Sequence, residues 1–90
     1  MSVLSDISTG GNRKIVAAQL HWAERPGVGS VAAFGVDVDR IVVETNRKFD
    51  NLAAGSGTDV TSAKSAFATL AAAAKTAATN AGKVEVPDAA

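Results

Sequence analysis

From Val60 to Ala81 the apolar residues fall at alternating intervals of three and four: Val60, Ala63, Phe67, Leu70, Ala74, Ala77 and Ala81. Heptad spacing puts such residues on one face of an α-helix and predicts a seam packed against a partner helix. Beyond Leu70 the seam is alanine throughout, so the partner can approach closely. The opposite face carries Thr61, Ser62, Ser65, Thr69, Ala72, Thr76 and Thr79, and the only charges in the stretch are Lys64 and Lys75. A helix on the surface of a lone domain usually shows Lys, Glu and Arg there. Two readings follow: hydroxyls solvate this face, or another chain covers it.

A second helix is expected from Asp37 to Ala54. Val38, Ile41, Val42, Thr45, Phe49 and Leu52 share one face, with Arg40, Glu44, Arg47, Lys48 and Asp50 elsewhere. Asp37 begins it and Asp39 lies in its first turn, where negative charge complements the free amides. Glu44 followed by Lys48 is the favourable order for a pair four apart. Gly55-Ser56-Gly57 stops this helix, and Thr58 or Asp59 caps the next. So short a link makes the two helices antiparallel neighbours.

The first third of the chain is less determinate. Residues Arg13 to Glu24 form adjacent ridges as a helix, Ile15–Ala18–Trp22 and Val16–Leu20–Ala23, or alternate as a strand with Val16, Ala18, Leu20 and Trp22 on one side. Ala, Gln and Leu favour the helix. On the strand reading, Pro26-Gly27 turns a hairpin whose return strand is Ser30 to Phe34. Met1 to Asn12, rich in Ser, Thr and Gly, reads as an arm, and residues 82–90 read as an extended tail. The expected fold is therefore mainly α: a small antiparallel helical hairpin or three-helix bundle with extended arms at both ends, forming one domain with a helical core over residues 13–81. The alternative is α+β, an N-terminal β-hairpin packed on a C-terminal helical hairpin.

Ninety residues with three Phe, one Trp and no Tyr sit where a single core is marginal and association often supplies the missing burial. Several apolar residues lie where a lone hairpin leaves them unburied and are expected at an interface. In the arm these are Val3, Leu4 and Ile7, and in the glycine-rich connection Val28, Val31 and Phe34. The seam adds Ala74 and Ala77, and the tail adds Val84 and Val86.

Nine basic and nine acidic residues give a formal charge of zero, which argues against a basic footprint for nucleic acid. Without cysteine, disulfides, thiolate metal sites and a thiol nucleophile are excluded. The first residues have neither the basic nor the apolar run of a secretory signal, and no apolar stretch is long enough to span a bilayer. Cytoplasmic synthesis is expected, followed by incorporation into a virion or other particle if the chain is structural.

Three stretches invite a chemical reading. Gly27-Val-Gly29-Ser-Val-Ala32 fits the loose dinucleotide fingerprint, which needs a strand before it and a full helix after it. His21 and Glu24 share a helical face, but a metal site needs further ligands and there is no second histidine. Gly10-Gly11-Asn12-Arg13-Lys14, if it opened a helix, would offer amides and two cations to an anion, and Arg47-Lys48 is a second basic pair. No catalytic residue, metal or cofactor is assigned to any of them, and neither nucleic acid nor membrane is expected as a partner.

With one Trp and an Ala-rich second helix in a hairpin of this length, the chain resembles in outline the small proteins exported by type VII secretion. Those proteins carry Trp-x-Gly at the interhelical turn and a tyrosine in the export tail; here Trp22 is followed by Ala23-Glu24, the turn is Gly55-Ser56-Gly57, and tyrosine is absent. The Ala, Val, Thr and Gly richness also resembles small accessory proteins of phage particles. The expected function is a non-catalytic structural subunit that self-associates or packs into a larger particle, such as a virion accessory, decoration or coat component. The alternative is a secreted or adaptor hairpin that binds one partner, and the third reading is a small nucleotide-binding or enzymatic domain.

Overall fold

The computed structural model describes residues 2–86. Three helices follow one another: α1 (Val3–Ala23), α2 (Ser30–Ser56) and α3 (Thr61–Ala81). There is no strand among the described residues, so the mainly α, three-helix reading is the observed one and the β-hairpin over residues 13–35 does not form. Cross-helix pairs give the directions. Asp39 meets Lys75 while Asp50 meets Lys64, and Lys14 meets Glu44 while Trp22 meets Asp37. Both α1 and α3 therefore run antiparallel to α2, whose 27 residues at about 1.5 Å each account for most of the 44 Å long axis.

The expected N-terminal arm is helix instead. Ser2 caps α1, its hydroxyl accepting the Ser5 N–H at 3.1 Å, and Asp6 lies in the first turn. The helix then runs through Thr9-Gly10-Gly11, where Ser, Thr and Gly had suggested turns. The reason is packing. Leu4, Ile7, Gly11, Ile15, Ala18 and Trp22 step by 3, 4, 4, 3 and 4, and all are buried or half-buried against the core. At Gly11 a Cβ would lie 2.7 Å from Cε1 and Cζ of Phe67 on α3 and 3.0 Å from Thr45 Oγ1 on α2. A glycine in mid-helix costs about 0.5–1 kcal/mol relative to alanine, yet here it is what lets the three helices meet.

The second helix starts seven residues earlier than expected, at Ser30 rather than Asp37. Pro26 ends the α1 side of the turn, because it has no N–H to continue a helix. Gly29, at φ 94°, is the N-cap of α2, and its carbonyl accepts the Ala33 N–H at 2.9 Å. The apolar connection from Arg25 to Gly35 thus shrinks to a tight turn, and most of its hydrophobic residues belong to the first turns of α2. Phe34, 1 % exposed, is a core residue of this chain. At the other end Gly57, at φ 70°, closes α2 with its N–H on the Ala53 carbonyl, and Val60 is the N-cap of α3 in place of the expected Thr58 or Asp59, with Asp59 Oδ1 just outside it accepting the Thr61 N–H at 2.9 Å.

The core comprises Ile15, Phe34, Val38, Ile41, Phe49, Val60, Phe67, Ala71, Ala78 and Val84. On α3 the buried stripe is Val60, Ala63, Phe67, Ala71, Ala74 and Ala78, again in steps of 3, 4, 4, 3 and 4. The heptad seam is therefore correct at Val60, Ala63, Phe67 and Ala74 and one residue out at Leu70 and Ala77, which are exposed, as is Ala81 at the helix end. A straight helix has 3.6 residues per turn and drifts about 20° per heptad from a strict 3.5 repeat. The packing emphasis also differs from expectation, since α1 makes the most extensive contact with α2 and the α2–α3 contact is the smaller.

Candidate functional site

Ionisable side chains converge along the α1–α2 groove. The Trp22 indole N–H donates to Asp37 Oδ2 at 2.7 Å, and Arg40 donates to Asp37 Oδ1 at 3.0 Å. Arg40 Nε also lies 3.9 Å from Glu44, which holds Lys14 at 3.4 Å. Glu44 thus serves Lys14 and Arg40 where Lys48 was the expected partner. Asp37, expected as a helix cap, lies inside α2 and anchors Trp22. Exposed pairs of this kind contribute little energy, and of these contacts only Trp22–Asp37 and Lys14–Glu44 join α1 to α2.

His21 lies beside this ladder. Its ring stands edge-on to Trp22, centroids 4.8 Å apart at 84°. Arg25 Nη1 lies 3.3 Å from His21 Nδ1 and donates to the His21 carbonyl at 3.1 Å. A general base needs an orienting partner and a proton donor within reach, yet among the described residues no hydrogen bond joins His21 to a carboxylate or a hydroxyl. Nor, among these residues, do three or more His, Asp or Glu converge to hold a metal.

The two anion-binding motifs are reshaped by the fold. Of Gly27–Ala32, the first three residues turn between two helices and the last three open α2, with no strand before them, so the strand–turn–helix the fingerprint needs is not formed. Gly10–Lys14 lies in the middle of α1, where its amides are engaged in the helix instead of being free at a terminus. Arg47 and Lys48 are exposed on α2.

A different kind of site is built on α3. Its two charged residues both turn to α2, Lys64 to Asp50 and Lys75 to Asp39, each at 2.8 Å. All its exposed residues are Ala, Ser, Thr, Asn or Leu. The Thr69 and Thr79 hydroxyls donate back to the carbonyls of Ser65 and Lys75, each at 3.1 Å. Beside this face, Val38, Val42 and Val43 of α2 line a mostly apolar groove with Ala68, Ala71 and Ala72, and the Asp39–Lys75 ion pair and Thr76 complete its wall. Val43 is half-exposed at its rim.

The residues expected at an interface divide. Leu4, Ile7 and Val31 are partly buried on the core of their own chain, and Phe34 and Val84 are inside it. Ala74 is half-buried in the α3 stripe and Ala77 is exposed beside it. Val3 and Val86 are exposed, and Val28 projects fully into solvent from the α1–α2 turn. The structure does not gather these ten into one surface. The uncharged α3 face, read from the sequence as solvated or covered by another chain, is where the structure adds that Lys64 and Lys75 both turn to α2. Among the described residues no helix is long and apolar enough to cross a membrane. Compared with protein-family models, curated proteins and solved structures, the chain matches none.

Proposed function

We propose that this chain is a non-catalytic structural subunit that packs against copies of itself, or into a larger particle, through the outer face of α3. The observation that supports the reading is the withdrawal of both α3 lysines into ion pairs with α2, which leaves a helix face without ionised groups. Burying an unpaired charge is expensive, and this face has none to bury. Its Thr69 and Thr79 hydroxyls already have acceptors, so covering them strands no donor. Alanine loses no rotamer freedom on burial. An identical copy meets no like charge across such a face, and the formal neutrality of the chain adds no long-range repulsion. A virion accessory or coat component would use a surface of this kind.

Val28, held out between Gly27 and Gly29, favours a second reading, an adaptor that inserts one aliphatic knob into a pocket of a different protein. Placing a charge on α3 separates the two. Thr69→Glu and Ala73→Glu, both at exposed positions, are expected to abolish concentration-dependent association by light scattering and to leave the helical circular dichroism unchanged. Association that survives both substitutions removes α3 as the contact, and loss of a heterologous partner on Val28→Ser would establish the adaptor.

A further inference from the structure

The α3 face is small for the task proposed for it. A helix of this length offers a strip about 32 Å by roughly 10 Å, or about 300 Å² per copy, whereas a stable interface takes about 600–1,000 Å² from each partner. A contact through α3 must therefore continue onto a neighbouring helix, and its two neighbours are unlike.

Toward α2 the face runs into charge. Asp39 pairs with Lys75 and Asp50 with Lys64 along that edge. Arg47, one turn beyond Val43, is exposed and in no ion pair among the described residues. Covering this side takes all of these ionised groups out of water, a cost that pairing repays only in excellent geometry.

Toward α1 the surface is uncharged. Asn12, Val16, Gln19 and Ala23 step by 4, 3 and 4 along the side of α1 that turns to α3. Asn12 shares a hollow with Ala66 and Leu70, and Gln19 shares another with Ala77. The charged residues of α1 lie elsewhere. Lys14 and His21 line the groove with α2, while helical spacing sets Asp6, Arg13 and Glu24 along the edge beyond Leu20. Lys83 and Glu85, past the end of α3, close the remaining end. Inside this rim Val16, Leu20 and Leu70 are 41 %, 42 % and 42 % exposed. Of the three helix pairs α1 and α3 touch least, and the hollow of about 120 Å³ between them reaches down to Phe67.

We infer that a second copy of this chain covers the α1–α3 side, with Val16, Leu20 and Leu70 at the apolar centre of the contact. The inference rests on the self-association proposed above and fixes which side of α3 it uses. Two helices about 10 Å apart present a strip about 32 Å by roughly 20 Å, or about 600 Å² per copy, which reaches the bound that α3 alone misses. An apolar centre inside a polar and charged rim is the anatomy of such a contact. The occupant is an identical copy because an uncharged face complements itself. Nucleic acid needs cations at its phosphates, and a helix lying on a membrane carries Lys or Arg beside its apolar face.

Lysine scanning of the two sides is the test. Val16→Lys and Leu70→Lys are expected to raise the dissociation constant, read by sedimentation equilibrium, at least about tenfold each, because each puts an unpaired charge into the contact. Val43→Lys, at a position 51 % exposed on the α2 side, is expected to change it less than about twofold. Circular dichroism checks that each variant is as helical as the unaltered chain, and Leu20→Lys takes the place of one that is not. Val16→Lys without effect, or Val43→Lys weakening association as much, overturns the inference and leaves the self-association standing. Single-chain mass of the unaltered protein at every concentration overturns both.

Discussion

Gly10 and Gly11 are adjacent in one helix and have opposite surroundings. A Cβ at Gly10 meets nothing within 4 Å, whereas one at Gly11 strikes the Phe67 ring. Gly10→Ala is therefore expected to stabilise by about 0.5–1 kcal/mol, and Gly11→Ala to destabilise by about 1–3 kcal/mol through overpacking. Thermal melts giving both the same sign would contradict the three-helix junction. Asp59 offers a test in pH. The backbone N–H of Thr61, helped by its hydroxyl, holds this carboxyl below its ordinary value of 3.8, against a slight opposing effect of burial. A depressed folded value means that its contribution is present above the unfolded value and fades as pH falls through the folded one. Asp59→Asn should therefore flatten the stability profile in that acid range, as urea titrations at stepped pH would show. Some of this scale was legible in the sequence: Thr58 and Asp59 were the expected caps of α3, and although Val60 takes the N-cap position, Asp59 beside it accepts the first N–H of the helix. Gly11 was not, because a glycine reads as a break until the residue that fills its missing side chain is known.

At the scale of elements, periodicity is a better guide to which residues are helical than to which of them face inward. The α2 face from Val38 to Leu52 was legible because bulky residues mark every turn. On α3, alanine occupies both the inward and the outward positions beyond Leu70, so nothing in composition separates a 3.5 repeat from a 3.6 repeat, and only packing does. The distinction has a measurable consequence. Ala78→Leu, at a buried position, should cost about 1–3 kcal/mol by overpacking. Leu70→Ala should fall well below the roughly 2–5 kcal/mol of a core leucine, since Leu70 is 42 % exposed. Denaturant midpoints that rank the two the other way would restore the heptad seam. The early start of α2 was hidden for a related reason: Gly29 and Gly35 flank an apolar run that reads as a connection, and the left-handed cap at Gly29 is not visible in a string of letters.

At the scale of the whole molecule, the bundle separates its surfaces. The α1–α2 side carries the ladder from Trp22 to Lys14, and α3 faces outward with small uncharged side chains while its lysines are tied to α2. The general class, a helical bundle, follows from the sequence pattern. The uncharged outer face of α3 was legible as well, and the structure adds the pairing of Lys64 with Asp50 and of Lys75 with Asp39. The central claim, that the neutral side is a contact between copies, is tested most directly by sedimentation equilibrium of the unaltered chain from micromolar to millimolar concentration. The weight-average mass is expected to rise reversibly above the 9.0 kDa of one chain as concentration increases. A mass that remains at one chain over the whole range would contradict it.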